Sequence, residues 1–232
     1  MRLGQVGNST YDLVVWACTP AGFAAALGAK AAGAARVLVV EPTDNVGGMA
    51  AAGGIGLRDC EQNEIRTNNS TQYRWAMRNA AHYGVPEPVW QPDNWLGEQT
   101  FKAMLQEAGV NLRMLGTHDQ NDSLIEGPGG VVVDRSGQSP RVKAIKLRRA
   151  DGSIDWIFSN YFVDASYEGD LLAAAGVTTT YGRESSSTYS EGSYAGVTNG
   201  SQATFNPPIS PFVHAGSPQV LPFVQSGPDP RD

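Results

Sequence analysis

The sequence predicts an α/β fold: a doubly wound parallel sheet carrying an inserted β-meander. Three observations predict it. The stretch "YDLVVWACTPAGFAAALGAKAAGAARVLVVEP", residues 11–42, reads strand, turn, alanine-rich helix and second strand ending in an acid. A further helix-then-strand pattern follows at 101–115. Between 131 and 164 the apolar period changes to two, with turn signals at Ser136-Gly137 and Asp151-Gly152.

Taken in order, Tyr11 to Trp16 is an apolar run of strand length, fit for a strand covered on both faces. Pro20 stands where a helix begins, because its missing N–H would have lacked a partner there anyway. Ala21 to Ala32 forms the helix, its small side chains suiting close approach to the sheet, and Gly33 ends it. Arg36 to Val40 is the second buried strand, closed by Glu41-Pro42. Residues 45–56, "NVGGMAAAGGIG", are too apolar for a solvated loop and are expected to lie against something flat. The aromatic and polar segment 57–96 is expected to form helices and a lid. Phe101 to Ala108 reads as a helix capped by Gly109, and Val110 to Leu115 as a third parallel strand. "VVVD", "VKAIKLRR" and "DWIFSNYFVD" form the meander, and "FVDASYEGDLLAAAGV" again leads a buried strand into a helix. From about residue 183 the chain is rich in Ser, Gly, Pro and Asn. It divides into 1–182, a dinucleotide-binding domain, and 183–232, a loop-rich tail or the start of a substrate domain. The last residues, "VQSGPDPRD", hold no closing strand or helix, so the architecture is expected to be incomplete at the C-terminus. The open sheet edge then calls for a second chain to cover it, or for poor solubility.

Composition excludes several functions. Of 232 residues, 41% are hydrophobic and 17% charged, and the net charge is −6. No basic run exceeds Arg148-Arg149, so no nucleic-acid partner is expected. The apolar stretches are too short to span a bilayer, so no membrane partner is expected. Cys18 and Cys60 are too few for a metal knot; Cys18 reads as a small buried hydrophobe, and nothing supports a disulfide between them. The first ten residues lack an apolar signal region. Sequons at Asn8, Asn68, Asn69, Asn121 and Asn199 leave a secreted origin open.

The first strand-to-helix turn is where a pyrophosphate would sit, because helix N–H groups and the helix dipole favour an anion there. A dinucleotide fingerprint asks for glycine at three places, held here by Ala17, Thr19 and Gly22. Only the packing glycine remains. The Ala17 methyl narrows the space for phosphate, whereas the Thr19 hydroxyl could donate to it. Glu41 lies 19 residues beyond Gly22, where an acid accepts hydrogen bonds from an adenosine ribose and repels a 2′-phosphate. No catalytic constellation is evident: His82, His118 and His214 are scattered, and Glu168 and Asp170 suit a helix N-terminus.

"YDLVVWACTPAGFAAALGAKAAGAARVLVVEPTDNVGGMAAAGGIG" and "FVDASYEGDLLAAAGV" together resemble the N-terminal part of the FAD-dependent oxidoreductases of the glutathione-reductase-like flavoprotein superfamily. The likeness is closest to a branch reading approximately VVVxGGTPAGIAAA…VLLVEPTxHLGGM…GGLG, and it extends over about 175 residues. It implies a Rossmann-like FAD-binding domain with a parallel sheet and inserted meander. It implies FAD as cofactor and hydride transfer from a small organic substrate, not identified by the sequence, to the flavin. Thr19, Pro20, Ala21 and Gly22 match the phosphate-binding turn, while Ala17 and Cys18 replace the family's Gly-Gly. Glu41 matches the ribose ligand, followed by Pro42. Gly47, Gly48 and Met49 match the segment passing the pyrophosphate and the flavin side. Gly53 and Gly54 match glycines near the isoalloxazine, and Asp164, Ala165 and Ser166 match the strand end beside the adenosine half. The alternatives are a catalytically inactive, truncated flavoprotein remnant and, ranked lower, an NAD-dependent dehydrogenase.

Overall fold

The computed structural model describes residues 10–51, 70–116, 123–125, 127–149, 151–179, 186–189, 212–214 and 216–219. The chain divides into two compact units, Met1–Val177 and Thr178–Asp232.

In the first unit, strand β1 (Tyr11–Trp16) leads into helix α1 (Pro20–Ala31) and strand β2 (Val37–Glu41). Helices α2 (Thr71–Tyr83) and α3 (Asn94–Glu107) precede strand β3 (Asn111–Met114). Then come β4 (Ser123–Leu124), β5 (Val131–Asp134), β6 (Arg141–Arg148), β7 (Ile154–Asp164) and helix α4 (Asp170–Ala175). The sheet order is β3-β2-β1-β7-β6-β4, with β5 also paired to β6. β3, β2, β1 and β7 are mutually parallel, while β4, β5 and β7 all run antiparallel to β6. Among the described residues no strand pairs with the outer edge of β3.

β7 explains how the meander joins the sheet. Residues 154–158 pair with β6, and from Ser159 to Asp164 the same strand pairs with β1. One eleven-residue strand thus belongs to both parts.

β1 is buried on both faces from Leu13 to Trp16, as the apolar run there predicts. Leu13 and Val15 face a core made with Phe23, Ala26, Trp75, Phe101 and Leu105 from α1, α2 and α3. Val14 and Trp16 face the other core, made with Ile145, Leu147, Ile157 and Leu171 from the meander and α4. The alternating Cβ direction of a strand sends successive residues into separate cores.

α1 starts as expected: Thr19 caps it, its Oγ1 accepting the Gly22 N–H at 3.3 Å, and Pro20 opens the first turn. Gly33 follows its end at φ +94°. α3 begins at Asn94, earlier than Phe101, because Asp93 caps it by accepting the Trp95 N–H at 3.0 Å. The helices expected over 57–96 are α2 and the start of α3, while residues 57–69 lie outside the described residues. Trp75 and Trp90 are buried, and Trp75 stacks on Phe101 with ring centroids 4.7 Å apart. Trp75 is core because α2 packs against α3, and Trp90, from the segment between them, lies beside Tyr73, whereas Tyr83 and Trp95 are exposed.

The second unit, by itself, holds helix α5 (Ser186–Tyr189) and a turn in which the Val213 N–H donates to the Gln219 carbonyl at 2.9 Å. Among the described residues of the chain, no helix is long and apolar enough to cross a membrane.

Candidate functional site

A cleft of about 380 Å³ lies beyond the C-terminal ends of β1, β2 and β7. Parallel strands of open α/β sheets present their ligand crevice at that end. Its walls come from four short segments: the β1–α1 turn, the loop after β2, the glycine-rich turn at 47–49 and the β7–α4 turn.

The β1–α1 turn holds the one described non-glycine residue at positive φ, Ala17, at +70°. Its N–H still belongs to the sheet, donating to the Val40 carbonyl at 2.8 Å. The next N–H, of Cys18, donates to Glu41 Oε2 at 2.6 Å. Between those two bonds the chain must reverse, and a left-handed residue does it. An alanine there is strained by about 1 kcal/mol. Ala17→Gly is therefore expected to raise stability only slightly in urea unfolding, by about 0.3 kcal/mol, because the strain relieved is partly offset by the entropy that glycine adds to the unfolded chain. A loss of stability would show that position 17 is not held left-handed.

Gly22 faces that turn from α1. A Cβ on it would fall on the Ala17 carbonyl oxygen, inside van der Waals contact, and 3.1 Å from the Ala165 Cβ. The Thr19 hydroxyl, which could have served a phosphate, is spent on the protein. It donates to the Ala165 carbonyl at 2.8 Å and accepts from Gly22. The Phe23 N–H donates to the Thr19 carbonyl. Pro20 has no N–H, so the exposed Ala21 supplies the first free N–H of the helix. The Cys18 side chain is fully buried, and its thiol is pushed up to about 12 by burial and then by the Glu41 charge. It is no nucleophile.

Glu41 ends β2 with its side chain buried yet lining the cleft. Besides Cys18 it is met by Thr43, whose N–H and hydroxyl donate to Oε1 at 2.9 and 2.7 Å. Pro42, Thr43 and Asn45 continue the same wall.

The glycine-rich turn is fastened to the first one by the Gly47 N–H, which donates to the Cys18 carbonyl at 2.8 Å. Gly47 and Gly48 stand at φ +102° and +50°. The flat group against Gly47 is the Phe101 ring, 2.6 Å from where a Cβ would sit. Gly48 and Met49 line the cleft, and the Met49 N–H donates to Tyr167 Oη at 3.0 Å. Gly53 and Gly54 lie outside the described residues, as do Cys60 and His118.

Asp164 builds the β7–α4 turn. Its Oδ1 accepts from the Ser166 N–H and hydroxyl at 3.0 and 2.7 Å, and its Oδ2 from the Leu172 N–H at 2.9 Å. Ser166 Oγ in turn accepts the Gly169 N–H. Ser166, Tyr167, Glu168 and Asp170 reach the cleft. The Asp170 pKa is raised by burial and by the charges of Glu168 and Asp164. The buried Trp16 indole N–H stands close enough to oppose this in part, without hydrogen-bond geometry.

Of the residues singled out in sequence, the structure thus puts Ala17, Thr19, Glu41, Pro42, Gly48, Met49 and Ser166 on the cleft. Cys18, Gly22, Gly47, Asp164 and Ala165 stand behind it, shaping its walls, and Pro20 and Ala21 open α1. Thr43, Asn45 and Tyr167 were missed, and Glu168 and Asp170, read only as acids at a helix start, line the cleft as well. An acid, a proline and a threonine in succession was the available signal for Thr43; no local signal marks Tyr167. Among the described residues no cluster could hold a metal ion.

The fold resembles that of several solved proteins. Thermovibrio ammonificans THI4 shares 16% identity, over 75% of this chain and 68% of that one, with a TM-score of 0.48. L-proline dehydrogenase from P. horikoshii shares 12%, over 76% and 58%, with a TM-score of 0.47. A flavoprotein/dehydrogenase from Cytophaga hutchinsonii shares 14%, over 75% and 44%, with a TM-score of 0.42. The chain therefore spans about half the length of the last two. No curated protein matches it. Residues 12–216 match the family of FAD dependent oxidoreductases, and on that match the chain belongs to this family of flavoproteins, whose cofactor is FAD.

Proposed function

We propose that the cleft receives the adenosine and pyrophosphate part of FAD and that the protein oxidises a small organic substrate by hydride transfer. The observation that carries this reading is the buried Glu41 carboxylate, lining the cleft at the end of β2 beside the start of α1. The residues fit the group in three ways. Gly22 lets α1 pack closely on the Ala17 turn and Ala165, beside Thr19, which caps the helix and lines the cleft. Gly48 makes way for the Tyr167 hydroxyl at the cleft wall, and Ala17 brings no more than a methyl to the opposite turn. Glu41, at the expected ribose position, opposes a further phosphate on the ribose, which favours FAD over NADP.

In this reading Glu41 accepts a ribose hydroxyl, the Ala21 N–H and the α1 dipole hold a phosphate, and Gly48 and Met49 guide the chain toward the flavin. Residues 1–182 form the flavin-binding domain and 183–232 begin the substrate side. FAD, when bound, supplies the two-electron redox chemistry by which a hydride leaves the substrate.

Titration of the protein with FAD, followed by flavin fluorescence, tests the reading. Quenching with a saturable affinity is expected, and NADH should not compete. Unchanged fluorescence would overturn the reading; FAD binding without turnover of any tried substrate would leave a flavin-binding protein that lacks activity.

A further inference from the structure

We propose that Thr43 is a positioning residue that turns the Glu41 carboxylate toward the ligand and leaves it one open acceptor place. The inference rests on the FAD reading of the cleft and adds how the ribose is gripped.

Glu41 is only 6% exposed, and among the described residues three protein donors meet its carboxylate. Oε1 takes the Thr43 N–H at 2.9 Å and the Thr43 hydroxyl at 2.7 Å. Oε2 takes the Cys18 N–H at 2.6 Å. Each oxygen of an ionised carboxylate accepts about two hydrogen bonds. Oε1 is therefore filled, and Oε2 keeps one place. Because Glu41 lines the cleft, that place is the one offered to a ligand. Three donors from two segments also hold the side chain in one rotamer, so a ligand hydroxyl meets a carboxylate already ordered.

Thr43 can do this because of its place in the chain. Pro42 fixes φ between the two residues, and the chain folds back so that Thr43 meets the acid two positions earlier. The Thr43 hydroxyl also accepts the Asn45 N–H at 3.1 Å. It thus gives a hydrogen to Glu41 and receives one from the loop that forms the cleft wall. Valine has the shape of threonine and can do neither; serine can do both.

The chemical consequence is a preference for a ribose with a free hydroxyl, held by one strong hydrogen bond rather than two. A carboxylate with one open lone pair suits a neutral donor.

The test compares Thr43→Val and Thr43→Ser by FAD titration, in the wild-type and Glu41→Ala backgrounds. Thr43 is exposed, so these changes leave the core alone. Thr43→Val should weaken FAD binding about tenfold, and Thr43→Ser should stay within about twofold. In the Glu41→Ala background, where no acceptor is left for Thr43 at position 41, Thr43→Val should cost less than about twofold more, because it acts through that carboxylate. Melting of the ligand-free proteins shows that each is folded; Thr43→Ala carries the same tenfold expectation should Thr43→Val melt early. Equal affinity of wild type and Thr43→Val, or the same tenfold loss in both backgrounds, overturns the inference. Failure of the wild type itself to bind FAD overturns the cofactor cleft first, and is seen without any variant.

Discussion

Gly22→Ala is expected to destabilise the protein by at least about 3 kcal/mol and to abolish FAD binding. The new methyl would fall on the Ala17 carbonyl oxygen and close to the Ala165 Cβ. Both obstacles are backbone or a single methyl, so no long side chain can swing aside. The remaining escape is for α1 to slide away from β1 and β7. That movement would break the Thr19 hydrogen bond to Ala165 and part the Phe23 and Phe101 rings, whose centroids lie 4.6 Å apart. It would also withdraw the helix N-terminus from the cleft. Urea unfolding measures the first effect and FAD titration the second. A Gly22→Ala protein within about 1 kcal/mol of wild type would show that the helix is not packed so closely.

Glu41→Ala should have the next largest effect, and on two quantities. The buried Cys18 N–H loses its acceptor, and so do the N–H and hydroxyl of Thr43. An orphaned buried donor costs about 2 kcal/mol of stability. FAD affinity should fall about 100-fold, since a hydrogen bond to a charged group is lost together with the order of the loop that it holds. Thermal melts with and without saturating FAD separate the two: the ligand-free melt drops, and the upward shift caused by FAD shrinks. If Glu41→Ala bound FAD as the wild type does, the ribose would have another acceptor.

Much of the fold was legible in sequence, and for local reasons. The apolar runs of β1 and β2, Pro20 at the head of α1 and Gly33 behind it each act within a few residues of themselves. The change of period at 131 announced the meander. The double membership of β7 was not legible, because both halves are equally good strand and only their partners differ. Trp75 and Trp90 were misread as a lid for a similar reason. An aromatic on a polar segment is core or cover according to what packs against it, and the Phe101 ring on which Trp75 stacks comes from another helix.

The site divides along the same line. The sequence by itself determined where a cleft would open and which acid would stand in it. Strand ends, a helix start and a glycine at its first turn are properties of short stretches of chain. Only the tertiary structure decided how the polar groups there are used. It joins Cys18 to Glu41 across 23 positions and Thr19 to Ala165 across 146. It placed Ala17 in a left-handed turn, took the Thr19 hydroxyl for the protein's own use and met the Glu41 carboxylate with donors from Cys18 and Thr43. The physical reason is that hydrophobic periodicity is written along the chain, whereas a hydrogen bond depends on about 3 Å of separation between groups that folding alone brings together.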